Sequence, residues 1–206
     1  VNYSYNDRYL LSASIRHEGS TKFGANYKWG NFPAFSLGWN VTNEEFMQHV
    51  DFLNNLKLRL GFGITGTVPT DPYISLKKLD TGDNFYTGNG WISTLKPKSN
   101  TNPDLRWEKK EEWNLGFDYA LFNNFIRGSF DLYKRTTKDM LWNYTVPMPP
   151  YLYDKMIVNA GTMENKGFEA QVIVTPVRTK EFTWNSTVNY STNKNKLVSL
   201  SNDQFK

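Results

Sequence analysis

The chain has 206 residues, no cysteine and a formal net charge of +4, and 16% of its residues are aromatic. The lack of cysteine excludes disulfide scaffolds, thiolate metal sites and cysteine nucleophiles, and the lack of any run of about 18 apolar residues excludes a membrane-spanning helix. Basic residues are interleaved with acidic ones instead of forming a stripe, which argues against nucleic-acid binding.

The first half of the chain alternates between apolar and polar residues, which is the period of a β-strand. Residues 56–64 show the pattern most clearly, because every second side chain is apolar and the residues between them are lysine, arginine or glycine. The same alternation over residues 9–16 and 35–41 predicts two more strands, and residues 1–5 form a shorter one.

Residues 43–56, between two of these strands, carry a different pattern. Phe46, Val50 and Leu53 recur at helical spacing, and acidic residues occupy the first turn. Acidic side chains favour the N-terminus of a helix, so we expect a short surface helix here.

The second half of the chain returns to strand periodicity. Alternating segments occupy residues 112–119, 126–133, 168–174 and 182–193. Together with the first half, they predict an all-β chain of about eight antiparallel strands.

The connections between the predicted strands alternate in length. Residues 6–8, 121–124 and 176–181 are short and residues 42–55 are of medium length, whereas residues 19–31, 65–104 and 136–166 are long. A soluble sandwich with one wet face could produce the strand pattern, but long loops gathered at one end are typical of outer-membrane β-barrels. The small polar residues on the presumed inner face indicate a wide lumen, so we expect a segment of a larger barrel.

Two sets of residues are candidates for recognition. The inward polar side chains should line the lumen: Lys57, Arg59, Arg127, Asp131, Asn185 and Asn189. The long loops carry aromatic rings that could contact a substrate or pack the loops themselves: Phe85, Tyr86, Trp91, Trp142, Tyr144, Tyr151 and Tyr153. Four aromatics near strand ends on the apolar face are expected to form an interfacial girdle: Trp39, Trp113, Tyr119 and Trp184.

Signatures of enzymatic chemistry are weak. The GFGITG run at residues 61–66 satisfies a dinucleotide-binding pattern, but no helix is predicted after it. His17 and His49 have no metal-ligand spacing, and the carboxylates at residues 44–45 and 111–112 do not converge on one point. We therefore expect no catalytic residue, no cofactor and no metal.

Five stretches together resemble the C-terminal barrel of SusC/RagA-like TonB-dependent outer-membrane transporters. They follow one another over residues 1–200: YNDRYLLSASIRHEGSTKFG, GNFPAFSLGWNVTNEEF, LKLRLGFGITGT, NPDLRWEKKEEWNLGFDYALFNNFIRGSFDLYKRTTKDML and VNAGTMENKGFEA. The resemblance implies a 22-stranded barrel with short periplasmic turns and long extracellular loops, closed by a plug and covered by a SusD-like lipoprotein lid. It implies import of oligosaccharides or peptides, energised through TonB.

The resemblance also sets what is expected of this chain. Residues 1–206 would form part of one barrel domain in the bacterial outer membrane, in contact with lipid, with the plug and the TonB box outside this sequence. The alternatives are a soluble secreted β-sandwich or propeller that binds carbohydrate, and a secreted β-rich hydrolase.

Overall fold

A computed structural model describes residues 1–200 and shows an almost entirely β structure. The strands, in chain order, are β1 (Asn2–Tyr5), β2 (Tyr9–Gly19), β3 (Trp29–Asn40), β4 (Leu53–Thr67), β5 (Leu79–Tyr86), β6 (Trp91–Pro97), β7 (Glu108–Leu121), β8 (Ile126–Lys138), β9 (Leu141–Thr145), β10 (Lys155–Asn159), β11 (Thr162–Arg178) and β12 (Thr183–Ser199). Within residues 1–200, no helix is long and apolar enough to cross a membrane.

Eight of the strands form one antiparallel sheet in the order β1-β2-β3-β4-β7-β8-β11-β12. These are the eight strands that the alternation predicts, so the fold-class prediction of an antiparallel all-β segment is confirmed. In the described part of the chain β1 and β12 each have one neighbour, and the sheet does not close on itself.

Short turns connect the strands at one end of this sheet. Asn6 and Asp7 adopt positive φ values of 50° and 51°, as the mirror-image turns of tight hairpins require, and Asn and Asp tolerate that conformation well. The tight turn predicted between the first two strands is therefore present.

The long connections at the other end are more ordered than the sequence predicts. β4 continues beyond the predicted loop boundary at residue 65 to Thr67, and β7 begins at Glu108, before the predicted start of that strand. Two of the long connections each contain a separate hairpin, β5 with β6 and β9 with β10. Residues 20–28, 68–107 and 139–161 are called the loop cap below.

The helix predicted over residues 43–56 is wrong. Two short 3-10 turns, Val41–Asn43 and Glu45–Met47, occupy its first part, and β4 begins at Leu53. Phe46 is 65% exposed, so the apolar stripe that suggested a helix has no core to face. The Glu44 carboxylate instead turns back towards the sheet, where distant residues hold it.

The buried core lies beside the sheet's long-loop end and not on either sheet face. One cluster of buried side chains joins the loop cap to β3: Phe23, Phe32, Ile74, Leu105 and Trp107. A second lies around β10: Val146, Met156, Val158 and Ala160. The apolar face of the sheet is left largely uncovered.

Candidate functional site

The polar face of the sheet carries an ion-pair network that spans three strands. Arg59 on β4 lies 2.9 Å from the Asp118 carboxylate on β7 and 3.1 Å from the Asp131 carboxylate on β8. The register places Arg59 opposite Gly116 and Gly116 opposite Asp131. A Cβ at Gly116 would lie 2.5 Å from Asp131 Oδ1, so glycine leaves the space that the arginine crosses. Strand alternation predicts that Arg59 and Asp131 lie on the polar face, but nothing in the sequence indicates that they contact each other.

The other predicted lumen residues lie on the same face but are dispersed. Asn189 accepts a hydrogen bond from the Gln171 amide at 3.0 Å, and Asn185 accepts one from the Thr175 hydroxyl at 2.7 Å. The strand alternation places the remaining two cations on this face as well: Lys57 and Arg127. The face is thus a polar wall that carries the Arg59 network and a separate ion pair between Arg135 and Glu112 at 2.7 Å. Its assignment to a lumen stays a prediction.

The opposite face of the sheet is apolar and exposed. Phe117 stacks on Phe130 at 4.9 Å between ring centroids, and Phe130 lies 5.9 Å from Phe168. Leu115 is nevertheless 55% exposed and Val188 66% exposed. These apolar side chains extend over several neighbouring strands and are exposed. Such a surface is typical of a protein face that contacts an apolar medium.

The girdle prediction concerns four aromatics of this apolar face. Trp39 and Tyr9 stack at 6.4 Å near the short-turn end, and both donate to Glu44, at 3.0 and 2.6 Å. The hydrogen bond from Tyr9, followed by that from Trp39, holds the pKa of Glu44 below its ordinary value. Arg8 adds an ion pair at 3.4 Å. The other three predicted girdle residues lie on β7 and β12: Trp113, Tyr119 and Trp184.

The predicted loop aromatics divide into two groups. Phe85, Tyr86 and Trp91 surround the tip of the β5–β6 hairpin and are 54–72% exposed, with Tyr86 and Trp91 5.3 Å apart. Trp142 on β9 is 50% exposed. These four rings are available for contact with another molecule.

The remaining loop aromatics are half-buried. Tyr144 and Tyr151 lie against the buried cluster around β10. Tyr153 is half-buried, and its backbone is bound by the Asn100 amide at 2.6 Å. For Tyr144 and Tyr151 the structure favours packing over recognition.

Asparagine side chains hold the loop cap together, and the sequence pattern did not predict this role. Asn159 donates to the backbone carbonyls of Arg106 and Asp139 at 2.8 and 2.9 Å and accepts from the Arg106 amide at 2.8 Å. Asn102 donates to the Ile157 carbonyl at 2.8 Å. The asparagines at alternate positions 100 and 102 could have indicated this role. Their side-chain amides donate to backbone carbonyls on and beside β10, as the backbone of a neighbouring strand would.

A salt bridge completes this arrangement. Arg106 lies 2.6 Å from Asp139 Oδ1, and this contact raises the pKa of the Arg106 guanidinium above its ordinary value. Lys22 also donates to the carbonyls of Pro69 and Thr70 at 2.8 and 2.9 Å. The long connections are therefore bound to one another and form a preorganised surface.

Comparison with known proteins agrees with this architecture. The family model described as "TonB dependent receptor-like, beta-barrel" matches residues 1–206. The chain is 37% identical over 204 residues to the TonB-dependent receptor SusC of Bacteroides thetaiotaomicron, covering 97% of this chain and 20% of that protein. It is 36% identical over 203 residues to the TonB-dependent receptor P39 of Formosa agariphila, covering 98% of this chain and 19% of that protein.

Solved structures show the same strand arrangement. The structure of the RagAB peptide transporter superposes with a TM-score of 0.84 at 26% identity, over 97% of this chain and 22% of that one. The RagAB peptide importer in its closed-closed state gives a TM-score of 0.85 at the same identity. The chain thus spans about a fifth of the length of the relatives that it matches.

Proposed function

Because this chain belongs to the TonB-dependent receptor-like β-barrel family, we propose that it forms part of the barrel wall of an outer-membrane importer. The observation that carries the proposal is the exposed apolar face of the eight-stranded sheet, opposite a polar face crossed by the Arg59 network. Lipid would cover the first face, and the second would line the water-filled passage. This segment would carry out no catalysis.

The proposed cargo is an oligosaccharide or a peptide. One structural neighbour is described as a peptide transporter, and another relative is the receptor SusC. The exposed rings at the β5–β6 tip and Trp142 could contact either class, because aromatic faces stack on sugars and pack on peptide side chains alike. A SusD-like lipoprotein would cover the loop cap, which would face the outside of the cell.

Energy coupling would depend on other parts of the full protein. TonB would act through a plug and a TonB box supplied by residues outside this sequence, consistent with a chain that spans about a fifth of its relatives. The six polar residues predicted for the lumen would then face water, plug or passing solute.

The alternative is a soluble carbohydrate-binding β-sandwich. That fold would bury the apolar face against a second sheet. In the described residues, the two small hairpins are the remaining sheets, and Leu115 and Val188 stay exposed. The structure therefore favours the membrane barrel.

Site-directed spin labelling in the full-length protein tests the proposal. The sequence has no cysteine, so a single cysteine can be introduced into this segment at Leu58, Leu115 or Val172 on the apolar face. The matched controls are the adjacent residues on the polar face: Lys57, Asn114 and Gln171. In bilayers, labels on the apolar face should be relaxed by oxygen and labels on the polar face by a water-soluble nickel complex. Equal accessibility within each pair would contradict the barrel assignment.

A further inference from the structure

Three lysines lie side by side on the apolar face, near its long-loop end. The register pairs Lys134 on β8 with Lys166 on β11, and Lys166 with Lys194 on β12. They share this face with Trp113, which pairs directly with Lys134 on the next strand. Like charges directly opposite one another destabilise a sheet, so an arrangement of this kind calls for a counter-charge. Lys134, Lys166 and Lys194 are called the lysine row.

The protein supplies little of that counter-charge. Among residues 1–200, the carboxylate that reaches the row is Glu164, 2.8 Å from Lys134 Nζ and 3.8 Å from Lys166 Nζ. Lys196 lies opposite Glu164 in the register and adds a fourth cation. Four lysines and one glutamate leave a local excess of three positive charges.

The lysine row borders an apolar groove. A shallow depression of about 500 Å³ is lined by all three lysines and by an apolar floor that includes Trp113, Leu115, Leu132 and Phe168. Lys134 and Lys166 side chains are 58% and 61% exposed, so their ammonium groups are accessible. Cations beside an apolar floor match a ligand with a negatively charged head and a hydrocarbon tail.

The position of the row on the strands agrees with such a ligand. Phe130 and Leu132 precede Lys134 on the same face of β8, and the strand then continues to Lys138 and the loop cap. The row thus marks the level at which the apolar face becomes charged. In a barrel whose long loops face outwards, that level coincides with the headgroups of the outer leaflet.

We propose that the lysine row binds the phosphate of an anionic lipid in the outer leaflet, with an acyl chain lying along the apolar floor of the groove. This inference rests on the proposed function, because it requires the apolar face to meet lipid. A soluble polyanion would need the lysines but not the floor, and the combination of both favours the lipid.

Native mass spectrometry of the full-length protein in detergent tests the proposal. The probes are phosphatidic acid and phosphatidylcholine with identical acyl chains, and inorganic phosphate serves as a competitor. The wild type should retain phosphatidic acid in preference to phosphatidylcholine. Changing Lys134, Lys166 and Lys194 together to Gln should weaken that retention at least about tenfold, since each lysine near an anionic headgroup contributes several-fold.

The matched control changes three exposed lysines away from the groove to Gln: Lys28, Lys77 and Lys180. It removes the same charge and should retain phosphatidic acid as the wild type does. Retention by the lysine-row variant within twofold of the wild type, or equal retention of the two lipids, would overturn the proposal. Displacement of phosphatidic acid by an equimolar amount of inorganic phosphate would overturn the lipid assignment, because the floor would then contribute nothing. If the spin-label test succeeds while this one fails, the barrel assignment stands and only the lipid site is lost.

Discussion

The sheet and the loop cap differ in how they place their apolar side chains: the loop cap buries them, and the sheet exposes them. Within residues 1–200, nine of the eleven buried hydrophobic residues belong to the two clusters at the long-loop end, whereas the broad apolar face of the sheet is exposed. The loop cap excludes water with its own core, as a small soluble domain does. The sheet has no comparable core on its apolar face, so the exclusion of water from that face depends on the surrounding medium.

This difference separates the forces that stabilise the two regions. Burial of aromatic side chains and satisfied backbone groups stabilise the loop cap in water. The ladder of backbone hydrogen bonds holds the sheet together, but its apolar face would gain free energy only if an apolar medium such as lipid replaced water. Changes in the two regions should therefore respond differently to the presence of a bilayer.

The largest effect is expected from Trp107→Ala. Trp107 is 2% exposed, packs 4.6 Å from Phe23 and 5.2 Å from Phe32, and donates its indole N–H to the Lys28 carbonyl at 3.1 Å. Removing a buried tryptophan costs about 3–5 kcal/mol. Hydrogen exchange in the loop cap should rise strongly, while exchange in β7 and β8 below it stays slow.

Trp91→Ala is the control for that change. Trp91 is 72% exposed at the hairpin tip, so its removal should leave exchange in the loop cap unchanged. Equal effects of the two substitutions would show that the loop cap has no independent core.

Leu115→Arg tests whether the apolar face of the sheet contacts lipid. An arginine facing the bilayer interior destabilises a membrane barrel by roughly 2–4 kcal/mol, depending on depth. Asn114→Arg, one residue away on the polar face, should cost much less. The measurement is the free energy of folding of the full-length protein into lipid vesicles, and similar losses for both variants would argue against a lipid-facing Leu115.

A smaller effect is expected from Asn159→Ala in the loop cap. The change leaves the backbone groups of Arg106 and Asp139 without their side-chain partner, at a cost of about 1–3 kcal/mol for buried polar groups. Protease nicking within residues 98–107 should become faster. Asn143→Ala, at an exposed position on β9, is the control and should not change the nicking rate.

The smallest effect is a pH dependence at the short-turn end. The pKa of Glu44 is lowered by the hydrogen bonds from Tyr9 and Trp39, so its ionised form is stabilised by folding. That contribution is present above the ordinary pKa of 4.5 and is lost as the pH falls through the lowered value.

Thermal unfolding of Glu44→Gln, compared with the wild type from pH 7 downwards, measures this contribution. The wild type should be the more stable at neutral pH, and the difference should shrink as the solution becomes acidic. Glu45→Gln is the control, because the Glu45 side chain is 83% exposed. A difference that is constant with pH would show that Glu44 acts through packing alone.

The eight sheet strands were predictable because most of them have one apolar and one polar face. Alternation in residues 56–64 and 112–119 therefore reports directly on the sheet. The β5–β6 hairpin was missed because both of its faces are largely exposed, so its sequence has no periodic constraint. The helix at residues 43–56 was wrongly predicted because the partners of Glu44, Tyr9 and Trp39, belong to other strands.

The candidate site was also predicted only in part. Alternation places Arg59 and Asp131 on the polar face, but only the pairing of β4, β7 and β8 brings them to 3.1 Å across Gly116. Likewise, the aromatic content of the loops was visible, but the separation of exposed Trp91 from packed Tyr151 depends on the cluster around β10.

The sequence by itself determined the strands, their two faces and the end at which the long connections lie, because these follow from the local period of side-chain polarity. Tertiary structure alone decided the register that aligns three lysines, the ion-pair network of Arg59 and the asparagine contacts that order the loop cap. Those features join residues far apart in the chain, and no local pattern encodes a distance between them.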